Sequence, residues 1–169
     1  MRSLTPSQRG AVAEAAIAAA AIELGLTVLR PLCEGRRYDL VIDLEPHLLR
    51  VQCKLAHRVG NVLVVNTRTN RCTPRGYVST VYTADQIDAL ATYTPDLRKC
   101  HLIPATALQG RTSVYLRVGA TANNQSTGVN WAADYELAHV LENLRGAAPG
   151  LGDASSSPGE TVNSTHLGL

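Results

Sequence analysis

Four residues of chemically capable types stand at spacings that a fold can collect into one site: Glu14, Asp39, Gln52 and Lys54. In "LLRVQCKL", Leu48 to Leu55, polar and apolar residues alternate as on a half-buried strand. Arg50, Gln52 and Lys54 fall on one side, and Leu49, Val51 and Cys53 on the other. The stretch before it, "RYDLVIDL", is a second strand with a carboxylate, Asp39, at its start. A turn near Pro46 makes the two strands antiparallel neighbours, which can bring Asp39 within one site of Gln52 and Lys54. Glu14 is a lone carboxylate in an alanine run and shares a helical stripe with Ile17, Ala21 and Leu24, so it lies toward the packed face. A buried carboxylate without a partner is costly and calls for a cation, a hydrogen-bond network or a metal.

Such a donor set suits a hard cation. Mg²⁺, with Mn²⁺ as a substitute, takes oxygen ligands and keeps several waters. Asp39, the Gln52 amide oxygen, the Cys53 backbone carbonyl and Glu14, directly or through water, would supply those oxygens. A metal held there stabilises charge developing on a phosphate and lowers the pKa of a bound water. Lys54 would orient or deprotonate that water, or neutralise the pentacovalent phosphate. The chemistry is metal-assisted phosphodiester hydrolysis. Taken singly, each residue also has a plain structural reading: Glu14 reaching solvent from the edge of its stripe, Asp39 serving as a turn residue.

Charge distribution points to a polyanion. The 169-residue chain carries a formal charge of only +2, but from Pro46 to Ala84 it has no Asp or Glu, while Arg50, Lys54, Arg58, Arg68, Arg71 and Arg75 all fall in that window. Arg68, Arg71 and Arg75 are candidates for phosphate or guanine contacts, with Arg36, Arg37 and Arg58 flanking the cleft. Asp88 is expected to pair with an arginine rather than to take part in chemistry. Tyr77, Tyr82 and Trp131 read as packing residues, and His57 as an exposed loop residue. Cys33, Cys53, Cys72 and Cys100 are widely spaced and fit no zinc pattern, so they read as reduced thiols. The N-terminal stretch is no secretory leader, and no apolar run reaches the roughly 18 to 20 residues of a membrane span. The expectation is a soluble, cytoplasmic protein.

The positioning elements follow from their punctuation. Thr5, Pro6 and Gln8 form a capping box that opens a first helix, and Gly25 stops it. "TVLRPL" adds a short strand, Tyr38 to Leu44 and Leu48 to Lys54 form the hairpin, and "NVLVVNT" is a third apolar run after a loop at Ala56 to Gly60. "RTNRCTPRGYVST" reads as a mobile basic loop. A second capping box, Thr83 with Gln86, predicts a helix over "ADQIDALATY", ended by Pro95. Strands at Lys99 to Ile103 and Ser113 to Val118 precede a last helix from about Trp131 to Leu144. Residues 1–145 make one domain, and 146–169, rich in Gly, Ser and Pro, are expected to be a disordered tail.

At this point the chain resembles the PD-(D/E)XK nucleases, and more closely their group I intron-associated, homing-type branch. The resemblance rests on Glu14 in "GAVAEAAI", on "RYDLVID", "LLRVQCK" and "YTADQIDALATYTPDLRKCHLIP", and on "NNQSTGVNWAADYEL", in that order between about Ser7 and Leu144. It implies an α/β (α+β) restriction-endonuclease-like core: a mixed β-sheet flanked by helices, in the order helix, hairpin, third strand, helix, strand. It makes Asp39 the central metal ligand, Lys54 the catalytic lysine, Glu14 the helix carboxylate, and Gln52 the residue at the acidic position of the pair. Tyr38 stands where the motif's name has proline, a position without a chemical role. Gln52 in place of a carboxylate removes one negative charge, as in some intron-encoded relatives, and weakens a second metal site. The implied activity is Mg²⁺-dependent cleavage of double-stranded DNA by a homo-oligomer, dimer or tetramer. A site-specific homing enzyme, a Holliday-junction-resolvase-like enzyme and a repair nuclease all fit that chemistry. A DNA-binding protein that has lost cleavage is the alternative of another class.

Overall fold

The first helix, α1, spans Pro6–Glu23 and begins as its capping box dictates, with the Thr5 side chain accepting from Gln8 N–H and the Gln8 side chain accepting from Thr5 N–H. Gly25, at φ +76°, turns the chain out of the helix. The computed structural model describes residues 4–33, 35–74, 76–120 and 127–146, without the side chains of 70–73 and 77. Arg75 and all but one residue of the expected tail lie outside the described residues, as does the side chain of Arg71.

Among the described residues ten strands follow: β1 Thr27–Leu29, β2 Leu40–Asp43, β3 Leu48–Leu55, β4 His57–Val59, β5 Val62–Asn66, β6 Arg68–Thr73, β7 Gly76–Val81, β8 Ala89–Thr94, β9 Lys99–Pro104 and β10 Ser113–Arg117. The main sheet runs β1-β2-β3-β8-β9, antiparallel except where β3 and β8 lie parallel. A three-stranded sheet, β10-β5-β4, and the β6–β7 hairpin complete it. The Lys99–Pro104 strand is followed by a 3₁₀ turn, Ala105–Leu108, and the chain ends its described part with another, Ala132–Tyr135, and the helix α2, Leu137–Gly146. The architecture is mixed α+β, with a mixed five-stranded sheet and both helices packed on one of its faces.

Two cores sandwich the main sheet. Ala13, Ile17 and Ala21 of α1, with Leu137 and Leu141 of α2, cover the face made by Leu40, Ile42, Val51, Cys53, Ala89, Ala91 and Leu102. The small side chains of α1 allow this close approach to a flat surface. The other face carries Leu90 and Ile103, which pack with Leu63, Val65, Tyr82, Val114 and Leu116 of the β10-β5-β4 side. Arg50, Gln52 and Lys54 belong to this second face, as their alternation requires.

Three expectations need correction. The helix predicted over "ADQIDALATY" does not form: Thr83 supports only a single turn, accepting from Gln86 and Ile87 N–H, and the chain then enters β8. That strand is central and buried on both faces, so its residues show no alternation, and burial between β3 and β9 outweighs the helix propensity of its alanines and leucine. The basic "loop" after the third apolar run is the β6–β7 hairpin, closed at Gly76 with φ +115° and rich in Thr and Val. Trp131 to Leu144 is a 3₁₀ turn followed by α2, not one helix.

Candidate active site

Asp39 directly precedes β2 and extends its ladder, donating its backbone N–H to the Val51 carbonyl at 2.9 Å. It lies one step beyond the Leu40–Val51 pair, beside Gln52, and both line an open cleft of about 250 Å³. Gly35, Arg36, Arg37, Lys54, Thr69 and Tyr82 complete the lining. The hairpin therefore brings together the three residues that its pattern singled out, with the 35–37 loop at one border and β6 at another.

The Asp39 carboxylate is held by its Oδ2, which accepts from the Cys53 backbone N–H at 2.8 Å and from the Gln52 amide nitrogen. That Gln52 nitrogen also lies 3.4 Å from the Cys53 carbonyl oxygen. Gln52, only 8 % exposed, thus offers its two amide protons to the two oxygens that a cation would use. Lys54 stands one pair further along β3, with its ammonium 5.6 Å from the centre of the Tyr82 ring. Burial pushes the Asp39 carboxyl above its ordinary range, although the Cys53 N–H, Lys54, Arg30 and Gln52 all pull the other way.

Glu14 projects from the packed side of α1, its side chain 24 % exposed, and pairs with Arg30 at 2.5 Å. Burial raises its pKa, the nearby Asp39 carboxylate raises it further, and Arg30 opposes both. Glu14 feels the Asp39 charge but is not among the residues that line the cleft, so the structure does not gather it with Asp39, Gln52 and Lys54. Both charges also push up the thiol of buried Cys53, after burial itself. A site where burial raises two carboxyl groups, and the Asp39 charge raises Glu14 further, favours an added cation, and the Cys53 carbonyl beside Asp39 fits the hard-oxygen preference of Mg²⁺. Among the described residues no group of three or more His, Cys, Asp and Glu side chains converges, so any cation here relies on the backbone and Gln52 for its remaining protein ligands.

Of the expected DNA-contacting residues, Arg36 and Arg37 line the cleft. Arg58 is on β4, where its Nε donates to the Gly60 carbonyl at 2.6 Å within its own turn. Arg68 is exposed at the start of β6, beside the cleft-lining Thr69. Asp88 pairs with an arginine, as expected, and the partner is Arg50. Sequence reasoning missed Arg30 and the position of Tyr82. Arg30 follows a short edge strand in a stretch with no pattern to mark it, and the burial of Tyr82 beside Lys54 follows from β7, whose polar sequence lacks a strand's alternation.

Residues 4–138 match a family model described as PD-(D/E)XK endonuclease. Among solved structures, the chain is similar to the bacterial homing endonuclease I-Ssp6803I, at 27 % identity, with 86 % of this chain and 98 % of that one covered and a TM-score of 0.69. No curated protein matches it. No helix among the described residues is long and apolar enough to cross a membrane.

Proposed function

The chain belongs to the PD-(D/E)XK endonuclease family, and on that premise we propose that it is a Mg²⁺-dependent endonuclease, with Mn²⁺ able to substitute, that cuts double-stranded DNA through Asp39, Gln52, Lys54 and Glu14. The observation that carries this reading is the convergence of Asp39, Gln52 and Lys54 on one cleft. Asp39 and Glu14, the Cys53 carbonyl and the Gln52 amide oxygen would hold the cation. When bound, it supplies charge neutralisation at the phosphate and a lowered pKa for water. Asp39 is oriented by the Cys53 N–H, which fixes the oxygen set before substrate arrives. Gln52 must rotate its amide to exchange nitrogen for oxygen at Cys53 and Asp39. Lys54, steadied by the Tyr82 ring, neutralises the phosphate and orients the attacking water.

Arg36 and Arg37 fit phosphate contacts at the cleft, and Arg58 and Arg68 stand on neighbouring strands; Arg71 and Arg75 are DNA-contact candidates on their sequence position alone. The likeness to a homing endonuclease supports site-specific cutting of the homing type. A homo-oligomer, dimer or tetramer, suits double-strand cleavage, and exposed Leu29 and Leu48 give the open β1 side of the main sheet apolar surface. The catalytic domain is residues 1–145, with 146–169 as an appended tail.

Plasmid cleavage with Mg²⁺ or Mn²⁺ tests this. Wild type should cut, and Lys54→Ala should lower the rate by at least about a hundredfold. No cutting by wild type, or equal cutting by the variant, ends the proposal. The Gln52 nitrogen bridging the two candidate oxygens favours a second reading, a DNA binder without cleavage. A Mg²⁺ titration by calorimetry separates the two: a binder gives no heat that depends on Asp39.

A further inference from the structure

The unsatisfied polar groups of this molecule gather away from the cleft. Among the described residues, five buried side-chain atoms have no hydrogen-bond partner: Gln86 Oε1, Thr92 Oγ1, Thr94 Oγ1, His101 Nδ1 and Arg117 Nε. Four of these five lie in one region. Thr92 and His101 are cross-strand partners in β8 and β9, as are Thr94 and Lys99, all on the second face of the main sheet. Arg117 closes β10 and bridges to Trp131, while His101 bridges to Glu136.

His101 and Arg117 line an open cavity of about 310 Å³, together with Lys99, Trp131, Glu136, Leu97, Val118 and two alanines. His101 is 1 % exposed, and burial keeps its imidazole neutral by lowering its pKa. Lys99 is paired with Glu136, so the guanidinium of Arg117 is the cavity's unneutralised charge. Nδ1 of a neutral imidazole can be a donor, and Arg117 Nε is always one. Leaving several buried donors without acceptors is costly, and native structures satisfy them with a guest or water. A guest that answers this set presents several acceptor oxygens and a negative charge.

We infer that this cavity is a binding site for a phosphate-type oxyanion, held by Arg117 and His101 with Trp131 as an apolar wall. The site is separate from the cleft: β8 lies between Lys54 and His101, which puts their backbones two strand spacings, about 10 Å, apart. It does not depend on the nuclease reading. The source of the oxyanion is either free phosphate or the terminal phosphate of a nucleic acid, and the same groups would hold both.

Trp131 is the only tryptophan of the chain, so its fluorescence reports on the cavity directly. The full chain would be titrated with inorganic phosphate at constant ionic strength and pH, with chloride as the control, and then with a 5′-phosphorylated dinucleotide and its unphosphorylated form. A saturable change with phosphate is expected, weakened about tenfold or more by Arg117→Gln and by His101→Phe, and retained in Lys54→Ala. A response to the phosphorylated dinucleotide alone, or to phosphate alone, identifies the source. Circular dichroism checks that the variants fold, and Arg117→Lys should recover part of the affinity. An unsaturable response, one equal to chloride, or unchanged binding in folded Arg117→Gln overturns the site and leaves the cavity to water.

Discussion

Two carboxylates sit along the same face of β3 and show opposite electrostatics. Asp88 Oδ2 accepts from the Arg50 backbone N–H at 2.7 Å and from its Nε at 3.0 Å, while Oδ1 accepts from Nη2 at 2.8 Å. The pair fastens the start of β8 to β3, and the Arg50 guanidinium holds the Asp88 carboxyl below its usual range. Two residues further along the face, Asp39 meets an amide, one N–H and the more distant charges of Lys54 and Arg30, and burial still holds its carboxyl above the usual range. A satisfied carboxylate is a structural brace. An under-neutralised one beside a second carboxylate is a place for an added cation, and the difference comes from the partner each receives rather than from the residue type.

The largest expected effect breaks one member of this pair of sites without touching the other. Asp39→Ala should lower DNA cleavage by at least about a thousandfold, near 4 kcal/mol at about 1.4 kcal/mol per decade. Its thermal midpoint should stay level or rise in metal-free buffer, because a buried, poorly neutralised charge is gone. Plasmid cleavage and a melting curve on the same preparation check both halves.

Asp88→Ala should do the reverse. It removes the acceptor of a backbone N–H and of two guanidinium contacts, a cost of about 2 kcal/mol, discounted because both side chains are about one-third exposed. The melting midpoint should fall by roughly 4 to 8 °C for a chain of this size. Cleavage per folded molecule should remain within a factor of about two to three, since a rate ratio of that size is well under 1 kcal/mol. A hundredfold loss of cleavage in a folded Asp88→Ala protein would erase the distinction between brace and site.

The two sites also differ in how plainly they could be read from the chain. The alternation in "LLRVQCKL", the turn at Pro46 and the carboxylate at the start of "RYDLVIDL" are local signals, and the β2–β3 hairpin realises them with Asp39 beside Gln52. That Asp88 pairs with an arginine was legible, but neither that the partner is Arg50 nor that the pair anchors β8, because that strand was hidden. Thr83 and Gln86 imitate a helix start, and "ALATYT", buried on both faces, lacks the alternation by which a strand declares itself. Only the tertiary setting between β3 and β9 decides it. Arg30 was illegible for the same reason: its contact with Glu14 joins the end of an edge strand to a helix 16 residues earlier.

A smaller effect sharpens the role of Gln52, whose amide neutralises Asp39 by hydrogen bonding where the family pattern has an acid. Gln52→Glu would set a third carboxylate against Asp39 and Glu14. Mg²⁺ affinity should rise about tenfold, near 1.4 kcal/mol, while the metal-free protein loses about 1 kcal/mol of stability to like-charge crowding. Calorimetric titration and urea unfolding measure the two. A tighter metal site without the metal-free penalty would mean that Gln52 does not serve as the resident neutraliser of Asp39.

The smallest effect is read in its sign. Asp88 has a lowered folded pKa, so its contribution to stability is present above its ordinary value of 3.8 and is lost as pH falls through the lower folded value. Asp39 and Glu14 have raised folded pKa values, so theirs is fully present only below the ordinary 3.8 and 4.5 and is lost as pH rises through the folded ones. In metal-free buffer Asp39→Asn should therefore be more stable than wild type at pH 7, with the gain vanishing toward pH 3 to 4. Asp88→Asn should be less stable at pH 7, with the loss shrinking over the same descent. Urea midpoints across pH 3 to 7 for the three proteins test both slopes. Adding Mg²⁺ at pH 7 should then cancel the advantage of Asp39→Asn, because only wild type gains the binding free energy of the cation. A stability gain in Asp39→Asn that survives saturating Mg²⁺ would place the cation elsewhere.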